Sequence, residues 1–219
     1  MPNIYMYVVD RDFGFAPNPF HGICSLATCK PQIRNTAQVG DWIFGVGGGR
    51  LNATGQCIFA MKVTQKITFN EYWENAEYRN KKPVRNGSKK MLLGDNIYHY
   101  NDETQLWTQA HSHHSLSDGG MNEYNKNRDT KSINVLLSMH FYYFGRKAPK
   151  IPSSILNRLG YTNGVGHRKY SYDQAEPLVN WLDQRYLDKL NLVVADPFDF
   201  DQSDAHYSVQ TNKVTSVSK

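Results

Sequence analysis

The chain has 219 residues, 40% hydrophobic and 21% charged, a length that fits one domain and can bury a real core. Its 14 Tyr, 10 Phe and 4 Trp exclude wholesale disorder, no apolar window is long enough to span a bilayer, and MPNIYMYVVDRDF lacks a signal-peptide pattern. With 25 Lys and Arg against 20 Asp and Glu, the formal charge of +5 permits a polyanionic partner, and three irregularly spaced cysteines point to a reducing cytoplasm rather than a disulfide framework.

In chain order, IYMYVVDRDF alternates aromatic and aliphatic residues and predicts an early strand over 4–13. FGFAPNPFHG is too rich in Gly, Pro and Asn for a helix interior and forms a greasy loop, which either packs over a core or lines a pocket. Residues 24–38 predict at most a short helical turn, limited by Pro31, with Lys30 and Arg34 on one face. VGDWIFGVGG and GQCIFAMKVTQKITF read as two paired strands around a flexible GGGRLNATG hairpin loop. Residues 70–79 follow as a helix capped by Asn70, and 79–90 as an exposed loop carrying six cations and no acid. The polar stretch 95–131, with WTQAHSHH at its centre, shows little periodicity. SINVLLSMHFYYFG predicts a strand over 132–145, and 173–190 a helix with Asp173 as cap and Pro177 in its first turn. NLVVADPFDF predicts a last strand. The domain then runs over 1–208, with 79–131 as a polar insertion or lid and 209–219 as a flexible tail. Strands first and helices interspersed later predict an α+β fold.

Phosphate-binding glycine loops, zinc-protease, α/β-hydrolase and deaminase signatures are all missing, and no cofactor motif stands in their place. Cys24 and Cys29 have four residues between them and lack the tight spacing of a zinc knuckle, so no metal is expected. They read as small buried hydrophobes, or Cys29 reads as a nucleophile, since Lys30 and Arg34 lie close along the chain and neighbouring cations favour a thiolate. Lys30 and Arg34 also read as a phosphate clamp or as two solvated cations. His111, His113 and His114 fit a metal site, a proton shuttle or an exposed loop. Asp10 and Asp12 leave a strand end, where a carboxylate can serve acid–base work or simply face solvent.

Taken together, DFGFAPNPFHGICSLATCKPQIR, QVGDWIFGVGG and LLSMHFYYFG resemble the type 2 nucleotide-modification-associated domain, a phage and bacterial family found near genes for modified DNA bases. The resemblance spans about residues 4–200 and is densest between Asp12 and Gly45. Its pattern matches Asp12, Gly14, Phe15, Asn18, Pro19, Cys24, Thr28, Cys29, Lys30, Pro31, Arg34, Gly40, Asp41, Trp42, Phe141, Tyr143 and Gly145. Met139 stands where relatives often carry Asp, which weakens an enzyme reading if that carboxylate matters. The VGDWIFGVGG and GQCIFAMKV strands are also similar to the strand pair of PUA-like and EVE-like barrels, which hold flipped or modified bases. That resemblance implies a mixed β-barrel with peripheral helices.

The resemblance implies recognition or processing of a modified nucleotide or of DNA. Phe15, Phe20 and Trp42 would wall a base pocket joined by Tyr143, Asn18 and Thr28 would meet the base edge, and Lys30 and Arg34 would hold the phosphate. The first alternative is an enzyme on a free nucleotide, with Cys29 as nucleophile and Asp12 or a loop histidine carrying the proton. The second is an interaction module with protein partners in a phage or defence modification complex. Neither a membrane nor a cofactor enters any of the three.

Overall fold

The computed structural model describes residues 2–216. The alternation at the N-terminus becomes β1 (Asn3–Val9), whose side chains point in turn to two apolar layers. A short β2 (Cys24–Leu26) opens the 24–38 segment, ahead of its one short helix. The helix α1 (Pro31–Thr36) starts at Pro31, whose missing N–H costs nothing in a first turn. Then come β3 (Trp42–Gly47), β4 (Cys57–Lys62) and β5 (Gln65–Thr68). Helix α2 (Phe69–Glu74) is capped by Thr68 rather than Asn70, because Thr68 and Glu71 close a reciprocal capping box. Further along lie α3 (Lys89–Leu92), the hairpin of β6 (Tyr98–Asn101) and β7 (Leu106–Gln109), and α4 (Glu123–Asp129).

The single strand expected over 132–145 is two strands, β8 (Asn134–Ser138) and β9 (Phe141–Tyr143), which enter different sheets. Between them Ser138 Oγ bonds the His140 backbone on both sides, and Met139 projects outward. After α5 (Ser153–Arg158) and β10 (His167–Ser171), helix α6 (Tyr172–Tyr186) begins at a Ser171–Gln174 capping box, two residues ahead of the expected Asp173 cap. NLVVADPFDF makes one isolated parallel bridge, Tyr143 to Val193, and no strand. Residues 206–215 form a hairpin, β11 (His206–Ser208) with β12 (Lys213–Thr215), where a tail was expected; 217–219 of that tail lie outside the described residues.

The largest sheet has the order β10-β1-β3-β4-β9, parallel between β1 and β3 and antiparallel elsewhere. Its edges, β10 and β9, do not pair. A second sheet, β2-β8-β5, is also open, so the protein is mixed α+β with no sheet closed into the expected barrel. One face of the large sheet (Ile4, Met6, Trp42, Phe44) packs on Leu178 and Leu182 of α6. The opposite face (Tyr5, Tyr7, Ile43, Phe59) packs toward Cys24, Leu26 and Leu136 of the small sheet. The 79–131 stretch is built into a third apolar cluster through Leu93, Ile97 and Tyr98, which join Phe13, Phe15 and Phe20. Among the described residues, no helix is long and apolar enough to cross a membrane.

Candidate functional site

The C-terminal end of β1, the start of α1, the 113–114 turn, α4, the 163–167 loop and the β11–β12 hairpin surround an open cleft of about 1220 Å³. That volume accommodates a nucleotide-sized ligand. Two chemically distinct groups, Cys29 and His114, meet on its floor, with the buried Asp129 behind them. Cys29 Sγ lies 4.0 Å from His114 Nε2, and His114 Nδ1 donates to Asp129 Oδ2 at 2.8 Å. A carboxylate only accepts, so this bond places the proton on Nδ1 and turns Nε2 toward the thiol.

Asp129 does more than orient the ring. Its Oδ1 accepts the Cys29 backbone N–H at 2.7 Å, and its Oδ2 also accepts the Tyr98 hydroxyl at 3.1 Å. One carboxylate therefore pins both the thiol-bearing backbone and the imidazole. Cys29 and Lys30 adopt left-handed φ values of 57° and 38°, a conformation residues with a Cβ hold only when their surroundings enforce it. Arg34 supplies that enforcement. Fully buried, it donates to the carbonyls of Cys29 (2.8 Å), Ser132 (3.0 Å) and Asn134 (2.7 Å), and also to the carbonyl of Asp129.

Burial alone would lower the His114 pKa, but the Asp129 charge and hydrogen bond, with the Cys29 sulfur, carry it up to about 10. His114 thus holds a second proton at neutral pH. Burial likewise disfavours the Asp129 charge, and His114 with Arg34 overcomes it, holding that carboxyl below its usual range. His113, beside it, is pushed well below its usual value by burial and by the charge on His114, so it stays neutral.

The predicted site residues divide sharply. Phe15, Cys29 and Lys30 line the cleft. The Phe15 ring lies 4.7 Å from that of His114, and Lys30 Nζ sits 4.3 Å above the Tyr7 ring. Arg34 is not on the lining, because four carbonyls occupy its guanidinium. Asp12 is buried elsewhere, accepting from the Tyr143 hydroxyl and the Phe198 N–H, and burial raises its pKa to about 6. Tyr143 is spent on the same bond. Asn18 is fully buried, giving Nδ2 to the Leu93 carbonyl at 2.7 Å and accepting Lys81 Nζ at 2.8 Å. Lys81 therefore departs from the exposed loop expected over 79–90. Phe20 packs on Phe200, and Trp42 faces the α6 layer beside Phe44. Thr28 is fully buried with its hydroxyl unpartnered. Met139 is not on the cleft lining either. Among the described residues, no group of His, Cys, Asp and Glu has a metal-binding arrangement.

Sequence reasoning placed a histidine of the 111–114 cluster among the candidates and missed Asp129, which lies 100 residues from Cys29. The cleft wall carries Arg11, Lys30, Arg128 and Lys131 against the single acid Asp10. Among the described residues, none of these four cations has a carboxylate within 4.0 Å. Fold and site together define an α+β protein in which a thiol and an imidazole face a cationic cleft, with a buried carboxylate behind them. The chain belongs to the nucleotide modification associated domain 2 family, whose model matches residues 1–204. No curated protein and no solved structure matches it.

Proposed function

We propose that this protein is a cysteine-nucleophile enzyme acting on an anionic, nucleotide-class substrate. The observation that carries the reading is the single Asp129 carboxylate holding both the Cys29 N–H and the His114 Nδ1–H, with Sγ and Nε2 left facing each other in the cleft. An imidazolium beside sulfur stabilises the thiolate and then serves as proton donor. The thiolate adds to an electrophilic carbon of an acyl or amidine substituent, forming an S–C bond. The leaving nitrogen or oxygen departs with the proton from His114. Water, losing its proton to His114, then cleaves the S–C bond and frees the thiol.

The family's description points toward nucleotides as the substrate class, and the cations without a carboxylate partner support that reading. Lys30 is half-buried beside the nucleophile, where an anionic group on the substrate offsets the cost of holding an ammonium out of water. Lys30 thus remains a phosphate ligand in this reading, with Arg128 and Lys131 on the same wall in place of Arg34.

The test is turnover of nucleoside 5′-monophosphates bearing acylated or amidine-substituted bases, read by mass spectrometry. Cys29→Ser is expected to abolish product release while leaving ligand affinity nearly unchanged. A Cys29→Ser protein with full turnover refutes the covalent route. The aromatic lining (Tyr7, Phe13, Phe15, Tyr207) favours one second reading, recognition of modified bases in DNA without chemistry. Steep loss of affinity for modified DNA with salt, and no turnover, would mark that outcome.

A further inference from the structure

The family match ends at residue 204, yet the cleft does not. Tyr207, Val209 and Asn212, all on or within the β11–β12 hairpin, line it. The hairpin is tied into the floor at several points. The Tyr207 N–H donates to the His113 carbonyl at 2.7 Å, and His113 Nδ1 meets the Ala205 carbonyl at 2.6 Å. On α4, Asn125 bonds the hairpin twice, through Nδ2 to the Tyr207 carbonyl at 2.7 Å and through Oδ1 from the Val209 N–H at 2.9 Å. The turn bearing His114 and the helix bearing Asp129 are thus both stitched to this hairpin.

The Tyr207 ring is half-buried, 6.1 Å from the His114 ring, and its hydroxyl is fixed on Asn212 Oδ1 at 3.0 Å. Arg11 reaches over from the end of β1, bonding Asn212 twice with its guanidinium 5.3 Å from the Tyr207 centroid. A braced aromatic ring next to the reacting groups, in a cleft lined by cations, suits a ligand that is planar at one end and anionic at the other. We propose that the C-terminal hairpin is the specificity wall of the cleft, with Tyr207 as the surface on which the substrate's base stacks. This deepens the reading given under Proposed function and rests on it. It assigns base selection to a segment outside the matched domain.

The experiment is protection of Cys29 from iodoacetamide, followed by peptide mass spectrometry. The probes are the four 2′-deoxynucleoside 5′-monophosphates and 2-deoxyribose 5-phosphate, which carries the anion without a base. Protection in each variant is referred to that variant's own unprotected rate. In the wild-type protein at least one base-bearing probe is expected to protect at about tenfold lower concentration than the sugar phosphate, the scale of one stacking contact. Tyr207→Ala and Tyr207→Leu erase that advantage, Leu doing so while preserving apolar bulk, and Tyr207→Phe retains it. An advantage that survives in Ala and Leu, or equal protection by all probes in the wild type, overturns the hairpin proposal alone. If neither base-bearing nor base-free phosphate protects the wild type, the nucleotide substrate class falls and this proposal with it.

Discussion

Residues 18–34 thread two buried ionic clusters, and the contrast between them separates structure from chemistry. In the first, Lys81 Nζ donates to the Asn18 carbonyl, Asn18 Oδ1 and the Ile23 carbonyl at 2.9, 2.8 and 2.5 Å, using all three of its protons. Nearby, Asp95 accepts from Ser25 and Tyr72 at 2.7 and 2.9 Å. Nothing in that cluster faces the cleft. In the second, Arg34 and Asp129 are just as fully used, but what they hold are Cys29 and His114, whose sulfur and Nε2 remain turned toward each other beside open space. Buried charge serves rigidity in both places. Only where the bracing stops one atom short of saturation is there a group left to react.

Truncating the two buried cations separates the clusters most visibly. Arg34→Ala strands several carbonyls and leaves Asp129 with one partner fewer, so a loss of about 3–5 kcal/mol in urea unfolding is expected. Lys81→Ala is expected to cost a similar amount, leaving Asp95 buried without its cation. Cys29 reactivity distinguishes them. It should collapse relative to wild type in folded Arg34→Ala and persist in folded Lys81→Ala. Equal effects on reactivity would erase the distinction drawn between the clusters.

A smaller effect lies in pH. Because the His114 pKa is raised from 6.5 to about 10, its stabilising contribution is complete below 6.5 and declines as pH climbs toward about 10. Asp129 is shifted down from 3.8, so its share is complete above 3.8 and is lost as pH falls below that. The Tm difference between wild type and His114→Ala should therefore be greatest between about pH 4 and 6.5 and shrink at both ends. A difference that grows toward pH 10 would reverse the assigned charge on the imidazole.

Much of the large sheet was legible, because β1, β3 and β4 are apolar runs separated by segments rich in glycine and asparagine. The barrel was not, since closure depends on which edge strands meet, and no local pattern encodes that β9 and β10 remain apart. Residues 132–145 look like one strand because both halves are apolar; the break at Met139 comes from Ser138 bonding the backbone around it. At the site, Cys29 could be singled out from its cationic neighbours, and the histidine cluster from its density. Asp129 gave no local signal, closing a helix 100 residues away among ordinary polar residues. The four-residue spacing of Lys30 and Arg34 suggested a shared helical face, but the helix starts only at Pro31, and left-handed Lys30 turns to the cleft while backbone carbonyls surround Arg34. Asn18, Phe20 and Asp12 were chemically suitable for a pocket and became framework, because the loop that carries them folds inward.

The central claim is that Asp129 and His114 together activate Cys29, and alkylation of the three cysteines by iodoacetamide tests it most directly. Cys29 is expected to react far faster than the fully buried Cys24 and Cys57, and His114→Ala to lower its rate by about 100-fold, the scale of one positioned acid–base group, through loss of the imidazolium beside the sulfur. Asp129→Asn should lower the rate in the same direction. A Cys29 rate indifferent to both substitutions in folded protein would contradict the account and leave the three residues as packing partners.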